Sequence, residues 1–255
     1  MLVSCDRDAV MSRQAFALLN LALIVGAATV GLRAFRRAAP DLSGMKGSKM
    51  LSPSVRAWYL SNLQPFEDLF VSRGVLPAAL SFGQLVSSFA AGFAYAWGLI
   101  YTAGFLVLFT GTLDILDGKV ARRINGGSRR GAFLDSVIDR YAEFVTLAGL
   151  LVFFASGWPV WAVILAMLGG MMVSYTRARA EGLSQSCEIG LLQRPERFVL
   201  LGFGSIASSI AVHTLGIPGH HLLVLTVLLV AVMSNVTALQ RAVYVLRRLD
   251  GGQHG

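Results

Sequence analysis

Charge is scarce in this chain: Asp, Glu, Lys and Arg together make up 14% of its 255 residues, against 55% hydrophobic residues. A soluble domain of this size could not bury so much apolar surface, which excludes a water-soluble globular fold. Cysteine is almost missing. The two present, Cys5 and Cys187, lack CxxC spacing, which argues against a disulfide framework or a thiolate zinc site. The strict period-2 alternation of a transmembrane barrel is absent, and that class goes with it. Three of the four histidines, His213, His220 and His221, fall in a turn containing Gly and Pro and read as plain loop, not as a metal site. Basic residues outnumber acidic ones by 22 to 14, a net charge of +8.

What the chain does have is a series of apolar runs. About 20 such residues cross roughly 30 Å of hydrocarbon as a helix, and runs of that kind lie near 78–98, 99–116, 133–155, 159–175, 198–217 and 222–246. The expected fold is an all-α integral membrane protein with a six-helix transmembrane core. A further run at 15–32, followed by Arg33, Arg36 and Arg37, reads as an extra N-terminal transmembrane helix with no convincing cleavage site. The stretch 38–54 reads as a linker. Residues 55–73 mix Trp58, Tyr59, Leu63, Phe66, Leu69 and Phe70 with charges and are expected to lie along the membrane surface as an amphipathic helix. This divides the chain into an extension (1–54), a core domain (55–248) and a flexible tail (249–255).

The basic residues are unevenly placed. Turns near Gly98, Gly157 and 213–221 hold no Lys or Arg, whereas the opposite turns hold Lys119, Arg122, Arg123, Arg129, Arg130, Arg177, Arg179, Arg194 and Arg197. Those turns are expected to face the cytoplasm. Positive charge gathered on one membrane face attracts anionic lipid heads or phosphorylated substrates, and nucleic acid is a poor reading of it.

The acids are placed more unusually still. Within "DILDGKVARRINGGSRRGAFLDSVIDR", Asp114 and Asp117 are three apart at the end of one apolar run, and Asp135 and Asp139 are four apart at the start of the next. Each pair therefore lies on one helical face, and a short loop brings the faces together. Carboxylates converging at membrane depth repel and lose hydration unless they are protonated or bind cations. Two divalent ions would balance four of them. All-oxygen ligation favours Mg2+, Mn2+ or Ca2+, and a metal pair about 3.5 to 4 Å apart suits phosphoryl chemistry. Gly118 and Ala121 leave room for a bulky ligand, Arg122 offers a fork for phosphate, and Gly126, Gly127 and Ser128 form a hydrogen-bonding loop.

The pattern D-x-x-D-G-x-x-A-R, eight residues, G-x-x-x-D-x-x-x-D, carried by Asp114, Asp117, Gly118, Ala121, Arg122, Gly131, Asp135 and Asp139, resembles the signature of the CDP-alcohol phosphotransferases at every fixed position. The resemblance implies that two metal ions, Mg2+ or Mn2+, bridge the aspartates and a CDP diphosphate while an alcohol attacks the β-phosphorus and CMP leaves. It assigns Asp114 and Asp135 to both metals, Asp117 to one and Asp139 to the other, with Asp139 also accepting the alcohol's proton. Gly118, Arg122 and Ser128 would hold the cytidine diphosphate of CDP-diacylglycerol. Many relatives carry P-N-x-x-T at the start of the first core helix. Here "LPAALSFGQ" puts Ala78 in place of Asn, and Ser81 stands for the threonine hydroxyl. The family also implies a homodimer among membrane lipids, in a bacterial inner membrane, with the site facing the cytoplasm.

The acceptor is argued from "YTRARAEGL", "GLLQRPERF" and "NVTALQR". These stretches resemble the branch of the family that makes phosphatidylinositol phosphate, and Arg177, Arg197 and Arg241 match its acceptor-phosphate positions. Three cations without a matching set of acids nearby suit a phosphorylated polyol better than serine, choline or ethanolamine. Inositol phosphate is the first expectation and glycerol 3-phosphate the competitor. A membrane prenyltransferase would show a second acid motif in the other half of the chain, and a cation-coupled transporter would show an internal repeat. Neither feature is present.

Overall fold

The computed structural model describes residues 53–125, 128–187, 189–217 and 220–251. The expected helix at 15–32, the linker up to residue 52, Cys5, Gly126, Gly127 and the tail beyond 251 lie outside the described residues. Among the described residues there are seven helices and no strand: α1 (Pro53–Ser72), α2 (Pro77–Ala96), α3 (Ile100–Asn125), α4 (Arg129–Phe154), α5 (Trp158–Gly182), α6 (Arg194–Leu215) and α7 (His221–Gly251). The six expected core runs correspond in order to α2 through α7.

Four of these helices are long and apolar enough to cross a membrane: Ile100–Ile124, Trp158–Gly182, Arg194–Leu215 and His221–Asp250. The other two core helices differ for a chemical reason. Ser, Gln and Gly dilute the apolar character of α2, and α4 carries Arg129, Arg130, Asp135, Asp139 and Arg140 in its first half and Glu143 just beyond it. Local chemistry sets the ends. Proline stands in the first turn of α2, α5 and α6, where its missing N–H costs nothing. Gln193 and Glu196 form a reciprocal capping box at the start of α6. That helix stops at Gly216, whose φ of 67° is left-handed.

Between helices in lipid, apolar burial supplies little net attraction, so close packing and interhelical hydrogen bonds must supply it. Both are visible. A Cβ on Gly104 of α3 would meet the Gly202 carbonyl oxygen of α6 at 2.8 Å, and one on Gly169 of α5 would meet Ser234 Cβ of α7 at 2.8 Å. These glycines let backbones touch. The Tyr95 hydroxyl of α2 bonds Ser205 Oγ of α6 at 2.6 Å, Thr110 of α3 donates to Ser87 of α2 at 2.9 Å, and Asn235 of α7 donates to the Leu165 carbonyl of α5 at 2.8 Å. Tyr95, Ile100, Leu150, Val163 and Leu223 fill the centre. Phe93, Trp97, Trp161 and Leu239 point outward, as lipid-facing side chains do.

Helix α1 is tied to α3 on its polar side. Lys119 pairs with Glu67 at 2.5 Å, and Arg123 reaches Glu67 at 3.3 Å and Asp68 at 2.5 Å. The Tyr59 hydroxyl bonds Thr112 at 2.7 Å, and burial pushes that phenol above its ordinary range. Below these contacts Leu63, Leu80, Leu113, Leu116 and Val120 form a small apolar cluster. Because α1 grips α3 within a turn of Asp117, it also steadies the helix that carries the first acid pair.

Candidate active site

The acid pairs arrive from neighbouring helices, Asp114 and Asp117 from α3 and Asp135 and Asp139 from α4. Carboxylate oxygens of Asp114, Asp135 and Asp139 all lie within 4.8 Å of one another. Asp117, 3% exposed, lies beside Asp135 and accepts a 2.8 Å hydrogen bond from Ser81 Oγ. Ser81 thus orients a candidate ligand from below. Gln84, one turn further along α2, donates to Asp139 Oδ1 at 3.2 Å.

A cavity of about 470 Å³ opens over these acids. The four aspartates, Gly118 and Arg122 line it, and so do Arg177, Arg194, Arg197 and Arg241. Two expected ligand residues do not line it. Ser81 sits behind Asp117, and Ser128 caps α4 by accepting from the Gly131 N–H at 3.0 Å.

The arginines require a correction to the expectation that they lack partners. Arg177 pairs with Glu181 at 2.9 Å on an exposed helical turn. Arg197, its side chain 4% exposed, makes a two-pronged pair with Glu143, Nε to Oε1 at 2.6 Å and Nη2 to Oε2 at 2.8 Å. Arg241, inside the last apolar helix, has no carboxylate in these contacts. Its Nε donates to the Ile189 carbonyl at 2.7 Å and its Nη1 to the Val173 carbonyl at 2.7 Å. Carbonyl dipoles meet its donors without cancelling its charge. The Nη1 of Arg197 is buried with no hydrogen-bond partner, and it belongs to a side chain that lines the cavity.

Three residues of this site were not singled out by the sequence. Glu143 continues the acid ladder one turn beyond Asp139, a spacing of four that could have revealed it. A Cβ on Gly170 of α5 would come within 2.5 Å of its Oε1, so the small residue makes space for the carboxylate. Gln84 carried no signal. Arg194 was read only as one of the basic residues of a cytoplasmic turn, and its Nη1 bonds Asp114 Oδ1 at 2.6 Å and also pairs with Asp139 Oδ2.

The donor set suits a hard cation. Every candidate ligand is a carboxylate oxygen, three converge, and Asp135 Oδ1 is buried without a hydrogen-bond partner, an arrangement that a divalent ion would satisfy. The aspartates that line the cavity can therefore hold a divalent metal, and its arginines offer positive charge to an anion.

The sequence likenesses cover the same helices. A family profile described as CDP-alcohol phosphatidyltransferase matches residues 74–239. The chain is 32% identical over 203 residues to the archaetidylinositol phosphate synthase of Methanothermobacter thermautotrophicus, covering 77% of this chain and 99% of that protein. It is 35% identical over 216 residues to the phosphatidylinositol phosphate synthase of Streptomyces avermitilis, covering 79% of this chain and 84% of that one. The crystal structure of the Mycobacterium tuberculosis phosphatidylinositol phosphate synthase with CDP-DAG bound matches with a TM-score of 0.63 at 28% identity, over 71% of this chain and 92% of that chain. The same enzyme in complex with manganese and citrate matches with a TM-score of 0.62 at 27% identity, over 71% and 88%. The likeness spans the helices that bring the aspartates together and not an isolated motif, and the chain belongs to the CDP-alcohol phosphatidyltransferase family.

Proposed function

We propose that this protein transfers a phosphatidyl group from CDP-diacylglycerol to a hydroxyl of inositol phosphate, giving phosphatidylinositol phosphate and CMP. The observation that carries the acceptor is the shared cavity: Arg177, Arg197 and Arg241 line the same 470 Å³ space as the four aspartates. The synthase names of its relatives support it.

Asp114, Asp117, Asp135 and Asp139 would hold two Mg2+ or Mn2+ ions, and the manganese complex of the M. tuberculosis enzyme supports a divalent metal. When bound, such ions neutralise diphosphate charge. Gly118 presents a bare stretch of helix to the nucleotide. Arg122, whose Nη1 lies 3.5 Å from where a Gly118 Cβ would stand, contacts the diphosphate. Ser81 acts through Asp117, and Ser128 keeps the α3–α4 turn in place beside the cytidine diphosphate. On the other side Arg197, held by Glu143, offers Nη1 to the acceptor phosphate, with Arg177 and Arg241 adding charge. The anchored acceptor places its hydroxyl near Asp139, which takes the proton as the new oxygen–phosphorus bond forms at the β-phosphorus. The bond from that phosphorus to the bridging oxygen breaks, and CMP leaves with the electron pair. Fixing the acceptor by a remote phosphate turns its binding energy into rate.

This reading places the enzyme in a bacterial inner membrane with the cavity facing the cytoplasm, as a homodimer among lipids, with residues 55–248 as the catalytic domain. The test is CMP release from CDP-diacylglycerol with inositol phosphate, glycerol 3-phosphate, serine or free inositol as acceptor. Inositol phosphate is expected to be best. A preference for glycerol 3-phosphate would keep the arginines' role and change the acceptor, and a preference for serine or free inositol would overturn both.

A further inference from the structure

Arg194 occupies an unusual place. It is the first residue of α6, and the Gln193–Glu196 capping box and Pro195 fix its backbone. Its side chain, 14% exposed, reaches Asp114 Oδ1 on α3 and Asp139 Oδ2 on α4 with the same Nη1, and Nη2 donates to the Asp139 main-chain carbonyl at 3.3 Å. The guanidinium carbon lies 5.3 Å from the Phe198 ring centroid one turn on, which limits where the group can lie. Arg194 therefore joins two of the three clustered carboxylates through a single nitrogen, from a third helix.

We propose that Arg194 is a tethered counter-ion that holds Asp114 and Asp139 together in the metal-free protein and competes with divalent metal for them, so that it sets the metal affinity of the site. The inference rests on the reading of these aspartates as metal ligands. A converging set of carboxylates needs positive charge to stay together in a low-dielectric setting, and in this structure a guanidinium nitrogen supplies it from within the chain. A divalent ion arriving at the same oxygens must either displace that nitrogen or lie beside it. The first route breaks charge-assisted hydrogen bonds, and the second sets like charges side by side. Both weaken metal binding relative to a site without the arginine. The same contacts keep the helices in register before the metal arrives, so the residue trades affinity for a preformed site.

The experiment uses the full chain purified in detergent without lipid substrate, with Mn2+ as the probe. Free Mn2+ is counted by its electron paramagnetic resonance signal during titration, and thermal unfolding is followed in EDTA and in saturating Mn2+. R194Q is expected to bind Mn2+ on the order of tenfold more tightly than the wild type. R194K should fall between, because an ammonium is a point charge without the guanidinium's planar fork. In EDTA, R194Q should unfold at a lower temperature than the wild type, with saturating Mn2+ closing most of the gap. If R194Q does not fold in EDTA, R194K decides by the same criterion: tighter binding than the wild type supports the role. Equal or weaker Mn2+ binding by the variants, with the wild type binding normally, overturns the role of Arg194 alone. No Mn2+ uptake by any form overturns the metal reading and this inference together.

Discussion

At the scale of single residues, the site is a balance of opposite charges held at short range. The aspartates gather from two helices, and two of them are oriented by neighbouring side chains: Asp117 by Ser81, Asp139 by Gln84 and Arg194. Removing the charge of Asp114 or Asp135 unbalances the whole cluster. D114N and D135N should each lower CMP release by roughly a thousandfold or more in Mg2+ buffered with chelator, and wild-type turnover in either would refute the assignment. Arg197 tests the arginines of the cavity. R197A should raise the Michaelis constant for inositol phosphate far more than that for CDP-diacylglycerol, since one charge-assisted bond to phosphate is worth about 1.5 to 3 kcal/mol. Equal rises for both substrates would assign Arg197 to the scaffold. The acid spacing and the Arg197 position were legible in the sequence because both are properties of short segments. The Glu143–Arg197 pair was not, because its members are separated by 54 residues and no periodicity links them.

At the scale of helices, the arrangement depends on a few places where backbones nearly touch. Gly104 and Gly202 bring α3 against α6, the same two helices that carry Asp114 and Arg194. A methyl group at residue 104 would collide with the Gly202 carbonyl oxygen and with Ile206, whose Cγ1 would lie at 2.8 Å. G104A should therefore lose about 1 to 3 kcal/mol of stability and separate the acids from Arg194. Thermal unfolding in detergent checks the first effect, and the Mn2+ titration of the same variant checks the second. Unfolding at the wild-type temperature would mean that the α3–α6 contact can relax without loss. Helix existence was readable from apolar runs, but helix length was not. The runs at 99–116 and 159–175 stop where polar residues begin, whereas α3 and α5 continue to Asn125 and Gly182. Hydropathy reports the lipid-exposed part of a helix, and the backbone hydrogen bonds carry on into the polar layer beyond it.

For the molecule as a whole, one cavity is lined by both the arginines and the aspartates, and under the proposed function that joining is what makes the acceptor's phosphate matter for rate. Free inositol, which lacks the handle, should turn over at least about a hundredfold more slowly than inositol phosphate. Inorganic phosphate should inhibit competitively against inositol phosphate, and R241A should lose much of that inhibition. Initial rates of CMP release with inositol phosphate, with free inositol and with added phosphate measure all three. If phosphate fails to compete, the arginines serve structure alone, while the chemistry assigned to the aspartates stands untouched.

The sequence by itself determined the membrane setting, the helical class, the pairing of acids on two successive helical faces and the family to which the chain belongs. The first three follow from composition or from spacing along a few turns, where the helical period already fixes which side chains share a face, and the family follows from the resemblance of the aspartate motif to a known signature. Only the tertiary structure decided which charge meets which. Arg194 turns to Asp114, 80 residues before it, Arg197 to Glu143, and Arg241 to the carbonyls of Val173 and Ile189. Such choices depend on how helices lean on one another, and glycine contacts and interhelical hydrogen bonds set that leaning across long stretches of chain. A period of 3.6 residues states the face a side chain occupies, and packing alone states what that face meets.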